Sequence, residues 1–206
     1  MDALSSPSGK RPMVPLRIVV ALSEAVLRGE KAIISLLMGL VLALILLNVV
    51  TRYAGAPLYW VDEAAVYAMV WLAFIGASAL TRLRLDFSVT LLSDQLSVAN
   101  ARRMKAIASL CIAVFASALA VMCWRWMDPL GIAAAGFDAK AYAGKSFNFL
   151  YTEQTQTLRW PTWMVSLVIP IFAVTMLIHG LANFFEDLGL APVRVRAGFS
   201  NAEALN

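Results

Sequence analysis

Residues 32–50 read AIISLLMGLVLALILLNVV, nineteen consecutive positions without a charged side chain. About 20 predominantly apolar residues cross the ~30 Å hydrocarbon layer of a bilayer as an α-helix, so this run alone places the chain in a membrane. Three further stretches have the same character. They are AAVYAMVWLAFIGASAL at 64–80, with a start that extends back to Trp60, AIASLCIAVFASALAVMCW at 106–124, and WPTWMVSLVIPIFAVTMLIHGLANFF at 160–185. None shows the two-residue alternation of a barrel strand, and only helices satisfy their own backbone groups in lipid.

Composition agrees. The chain has 206 residues, 61% hydrophobic and 15% charged, with a mean hydropathy of +0.74. Soluble domains average about 45–50% apolar and about 25% charged. The expected fold class is therefore an all-α integral membrane protein of four transmembrane helices plus one or two interfacial amphipathic helices. Residues 1–30 form an N-terminal segment with an amphipathic stretch, 31–188 a four-helix membrane domain, and 189–206 a tail. Ala54-Gly55-Ala56 imitates a signal-peptidase site, but Pro57 follows it and about thirty residues precede the first apolar run, so that run reads as a retained anchor.

Lys and Arg counts set the orientation. The N-terminal segment, the second connection and the tail carry twelve; the segments after spans one and three carry five. The positive-inside rule then predicts both termini in the cytoplasm, with the connections at 51–63 and 125–159 facing outward. A net charge of +4 dispersed through short loops is no nucleic-acid footprint.

Two segments have the spacing of surface helices. Leu85, Val89, Leu92 and Leu96 recur at helical intervals with Asp86, Thr90, Ser93, Asp94 and Ser97 between them, and Leu16–Leu27 shows the same tendency. Lipid and a partner protein are both open as the surface they cover.

Polar residues concentrate at the first turn: Asn48, Arg52, Trp60, Asp62 and Glu63. Asn48 and Arg52 share a helix face, and the two carboxylates open the second helix, where the dipole favours anions. Arg52 pairs with Asp62, with Glu63 or with a partner residue. No nucleophile, base or metal ligand accompanies the carboxylates, so an enzyme is not expected. Neither a cofactor nor a metal is expected, since there is no Cys/His cluster and His179 is the only histidine. Cys111 and Cys123 lie roughly 18 Å apart along one helix, too far for a disulfide, and read as buried thiols. Trp71 lies beside Gly76, Ala77, Ser78 and Ala79, a packing face. Pro161 falls in the first turn of the fourth span and Pro170 in mid-span, where it kinks the helix. Trp160 and Trp163 mark the outer interface. Phe147, Phe149 and Tyr151 precede them, as headgroup anchors or as contacts for a partner.

The order of these motifs resembles the small membrane subunit, of DctQ type, of tripartite ATP-independent periplasmic (TRAP) transporters. Asn48-Val-Val-Thr-Arg52-Tyr53 ends the first span and Trp60-Val-Asp62-Glu63 opens the second. Trp71 with Phe74-Ile-Gly76-Ala77, Arg82, Trp160-Pro161-Thr-Trp163 and Ile169-Pro170 follow. The likeness covers roughly residues 30–188. It implies a non-catalytic subunit that packs on a large multi-span TRAP subunit and helps dock a periplasmic substrate-binding protein, for uptake of an organic acid driven by a sodium gradient. Asp62 stands where the family usually has Glu, Asp86 where it often has His, and the 125–159 connection is long for it. The competing reading is a stand-alone homo-oligomeric transporter or channel, which calls for intramembrane charges along a pathway.

Overall fold

The structure, a computed structural model, describes residues 14–85 and 97–191. Helix α1 spans Val14–Tyr53 and α2 spans Tyr59–Leu83. Helix α3 spans Val98–Met127, followed by two short helices, α4 at Pro129–Ala134 and α5 at Ala139–Ser146. Helix α6 is a single turn and a half at Thr162–Ser166, and α7 spans Val168–Asp187. Four helical segments are long and apolar enough to cross a membrane: Leu16–Tyr53, Tyr59–Leu83, Asn100–Ala134 and Thr162–Asp187. Among the described residues there is no strand, only an isolated bridge between Gln154 and Pro161.

Helix α1 is 40 residues long, which is ~60 Å, twice the hydrocarbon thickness. The stretch Leu16–Leu27, expected as a separate surface helix, is the beginning of this same helix. Nothing between Leu27 and Ala32 stops it, because a single Gly29 costs only ~1 kcal/mol. Val20, Ser23, Leu27 and Glu30 form a buried stripe at helical spacing, so the segment lies against the chain's own α7. The second expected surface helix, around residues 86–96, lies outside the described residues. Helix α1 ends where Gly55 adopts φ +73° and Pro57 bars continuation.

The fourth span is interrupted rather than smoothly bent. Leu167 separates α6 from α7, and Pro170 sits in the first turn of α7. A proline ring clashes with the carbonyl four residues back, here that of Ser166, so the break lies upstream of the residue that causes it.

Helices α1, α2 and α7 make a triangle. Leu37, Ile75 and Val168, one from each, share a core cluster, while Leu44 packs with Val61, Ala65 and Ala68 to close the α1–α2 hairpin. Helix α3 packs on α7 and makes no comparable contact with α1 or α2. The α3–α7 seam is tight: a Cβ on Gly180 would stand 3.2 Å from the Ala113 backbone nitrogen, the close approach that small residues allow in membranes. The outward faces of α1 (Leu36, Met38, Leu42, Leu46, Val50) and α3 (Ile107, Val114, Val121, Met122) are large, apolar and exposed. Cys111 belongs to the exposed face of α3 and is not the buried thiol expected, whereas Cys123 is buried.

Candidate functional site: two polar clusters and two apolar grooves

The α1–α2 turn brings Asn48, Arg52 and Asp62 together. Arg52 Nε donates to Asn48 Oδ1 at 2.8 Å, Arg52 Nη2 meets Asp62 Oδ2 at 2.7 Å, and Asn48 Nδ2 donates to Asp62 Oδ1. The partner that the sequence left open for Arg52 is thus Asp62. Both side chains of the ion pair remain about half exposed, 59% and 45%, and pairs of that kind contribute only ~0–1 kcal/mol. The pair fixes the register of the hairpin more than its stability. Trp60, two residues before Asp62 on α2, is 41% exposed.

Glu63 turns the other way. Its carboxylate accepts the backbone N–H groups of Gln156, Thr157 and Leu158 at 2.9, 2.7 and 2.8 Å. The Thr157 hydroxyl and the Tyr67 phenol also donate to it. One residue of α2 therefore anchors the end of the 125–159 connection. The connection is folded throughout. Asp128 caps α4 through Gly131 N–H and accepts from the Tyr142 hydroxyl at 2.9 Å; Tyr151 donates to the Met127 carbonyl at 2.6 Å. Burial, with Tyr142 and Asp128 nearby, pushes the Tyr151 phenol up, so it remains a protonated donor at neutral pH. Tyr151 also stacks obliquely on Trp163 at 6.4 Å. Phe137 and Phe147 are 76% and 80% exposed and both adopt the left-handed backbone region, which bulky residues seldom enter.

A second cluster lies at the opposite end of the helices. Arg82 is fully buried. Its Nη1 donates to Asn183 Oδ1 at 2.6 Å and to Glu186 Oε2 at 3.1 Å; its Nη2 meets Glu186 Oε1 and Glu24 Oε1, each at 2.7 Å. Arg84 Nη1 pairs with Asp187 Oδ1 at 2.6 Å, whose other oxygen accepts from Ser109 at 2.7 Å. Arg102 Nε donates to the Asp187 carbonyl. Next to this, His179 is fully buried, with Nδ1 2.7 Å from Ser23 Oγ and Nε2 3.0 Å from Glu30 Oε2. Elements α1, α2, α3 and α7 thus meet in one charged knot. Pairing answers the cost of burying charge.

Of this knot the sequence reading singled out only Arg82. Glu24, Glu30, Asn183, Glu186 and Asp187 do not stand out in the sequence, and His179 enters there only as the one histidine of the chain. The signal was present: Ser23 and Glu30 are seven apart, and His179, Asn183 and Glu186 recur at intervals of four and three, each set on one helix face.

The remaining expected residues are structural in their contacts. Trp71 donates its indole N–H to the Val165 carbonyl at 3.0 Å, next to the break in span four. Pro170 lines one of two grooves at the hairpin half of the molecule, about 560 Å³, between α3 and α7. The other, about 400 Å³, lies between α1, α2 and α6. Apolar side chains line both almost wholly. Among the described residues no group of His, Cys, Asp or Glu is arranged to hold a metal ion.

Residues 41–190 match the family model for the DctQ component of tripartite ATP-independent periplasmic transporters. The chain belongs to the DctQ family. No curated protein and no solved structure matches it. As a DctQ protein it is a small membrane subunit of a TRAP transporter and a multi-pass protein of the bacterial inner membrane; membership implies association with a large membrane subunit and a substrate-binding protein. The matched region covers the Asn48–Arg52–Asp62 turn, Glu63 and the whole of the Arg82–Glu186 pair, and leaves out Ser23, Glu24 and Glu30 of α1.

Proposed function

We propose that this DctQ chain is a non-catalytic support subunit: it packs on and stabilises the large TRAP subunit and helps dock the substrate-binding protein for cation-coupled uptake of an organic acid. One observation carries the reading. Among the described residues the charges at the inner end of the helices are tied to one another in the Arg82 knot, and the two grooves along the spanning helices are lined almost wholly by apolar side chains, which supports a subunit that carries no polar route for an anionic solute. Charged groups lining a pathway are what a self-sufficient transporter would need. The exposed apolar faces of α1 and α3 suit lipid and a multi-span partner.

The charge bias favours both termini in the cytoplasm. In that orientation the Arg52–Asp62 turn and the folded 125–159 connection face the periplasm, where a soluble binding protein arrives. The six residues Asn48, Arg52, Trp60, Asp62, Glu63 and Trp163 then serve the outward face, while Trp71, Arg82 and Pro170 set helix packing.

Purification from native membranes in mild detergent tests the reading: a large polytopic protein is expected to co-purify. Recovery as a homo-oligomer that moves an organic acid across liposomes by itself would overturn it. Reporter fusions after Thr152 and after Val195 are expected to give opposite signals; equal signals refute the orientation.

A further inference from the structure

The 400 Å³ groove between α1, α2 and α6 is a built site rather than a packing gap. Its length along α2, from Trp60 to Trp71, is eleven residues or ~16 Å, half of the ~30 Å hydrocarbon layer and so the depth of one leaflet. Trp60 and Trp160 stand at the shallow end and Trp71 at the deep end, with Leu40 and Ala64 along the walls. The deep end is fixed by the Trp71–Val165 hydrogen bond. The shallow wall is fixed twice. Glu63 holds the backbone at 156–158, and Thr155 brackets Trp160 through its N–H and hydroxyl, at 2.8 and 3.0 Å. A wall held this way is preorganised, and binding a chain there orders little else.

Between the lining residues Leu158 and Trp160 comes Arg159, exposed and with φ +58°. That backbone region is costly for a residue with a long side chain. Among the described residues Arg159 has no ion pair or hydrogen bond. A cation beside an aromatic rim, above an apolar trough one leaflet deep, matches a phospholipid in both charge and polarity. We propose that this groove holds one acyl chain of a membrane phospholipid, with Arg159 meeting its phosphate. The lining of the trough is almost wholly apolar, so a polar solute gains little there and a bare phosphate has no use for it.

The test uses the complete transporter complex in nanodiscs doped with phosphatidylglycerol carrying a diazirine on one acyl chain. Labelling at Ala64 and Met164 is expected to saturate at low probe fraction, while labelling at Val114 and Met122, on the exposed face of α3, rises in proportion to it. Ala64→Phe, and independently Leu40→Trp at an exposed wall position, are expected to cut groove labelling at least fivefold and to leave α3 labelling unchanged. Arg159→Gln is expected to lower retention of the lipid by about tenfold in native mass spectrometry of the complex. Groove labelling that scales linearly with the probe, or that both filling variants leave intact, overturns the site. So does labelling seen in the chain expressed alone but absent in the complex, which would give the groove to a helix of the large subunit. Unchanged lipid retention in Arg159→Gln refutes the phosphate contact.

Discussion

Arg82 on α2 and Glu186 on α7 meet through two parallel N–H···O contacts of 3.1 and 2.7 Å, buried on both sides. The fork geometry fixes orientation as well as distance. Breaking a buried pair from one side leaves the other charge under-compensated, at a cost of up to about 3–5 kcal/mol; among the described residues Glu186 would keep only the longer, 3.3 Å contact with Arg84. Arg82→Gln is therefore expected to lower the thermal midpoint of the detergent-solubilised complex sharply. Glu186→Gln added to it should restore part of the loss. Additive losses would mean that the two side chains do not act as a pair.

At the other end, Glu63 holds three successive amides. Glu63→Ala is expected to raise hydrogen exchange at residues 156–158 at least tenfold, while the amides of α5 stay protected. Uniform protection in the variant would show that the connection holds its shape without the carboxylate.

Asp62→Ala combined with Glu63→Ala removes both the Arg52 partner and the loop anchor. Solute uptake by the assembled transporter is expected to fall severalfold, with capture of solute by the isolated binding protein unchanged. Wild-type uptake would leave this turn without a role in docking.

Gly180 lies where α3 and α7 come closest. A methyl group there must displace the Ala113 backbone by a few tenths of an ångström, and overpacking of this kind costs about 1–3 kcal/mol. Gly180→Ala should loosen α3 first, since α7 is its chief attachment. Accessibility of Cys123, buried in the wild type, to a thiol reagent reads this directly, and an unreactive Cys123 would contradict it.

Pro170→Leu restores a backbone donor and removes the ring clash with Ser166. Helices α6 and α7 are expected to merge, and the Trp71–Val165 bond to weaken as the carbonyl is drawn back into the helix. A fall in yield of the intact complex is the expected readout; an unaltered yield would mean that the interruption serves nothing in assembly.

The four spanning helices were legible because hydrocarbon imposes a length and a polarity that no other environment requires. The Asn48–Arg52 face was legible from i, i+4 spacing, but the choice of Asp62 over Glu63 was not, since the two are adjacent at the start of α2, Asp62 in its first turn and Glu63 just beyond it, and it is the path of the 125–159 connection that claims Glu63. The charged knot was obscured by its own position. Glu24, Arg82 and Glu186 all flank apolar runs, where a charge reads as a solvated helix end. Only the unbroken continuation of α1 past Leu27 brings Glu24 and Glu30 over α7. That continuation depends on an absence of stop signals, which a search for apolar runs does not register.

Helix α1 carries Arg52 at one end and Ser23 toward the other, 29 residues apart on a single unbroken element, or ~43 Å. It is therefore a lever whose two arms emerge on opposite sides of the hydrocarbon. A tilt of ~10° about the Arg52 turn would sweep Ser23 by ~7 Å over that length, more than one helical turn, and the His179 contact would have to slide or part. Any tilt of α1 at the hairpin turn would therefore be registered at the Ser23–His179 contact, on the other side of the hydrocarbon.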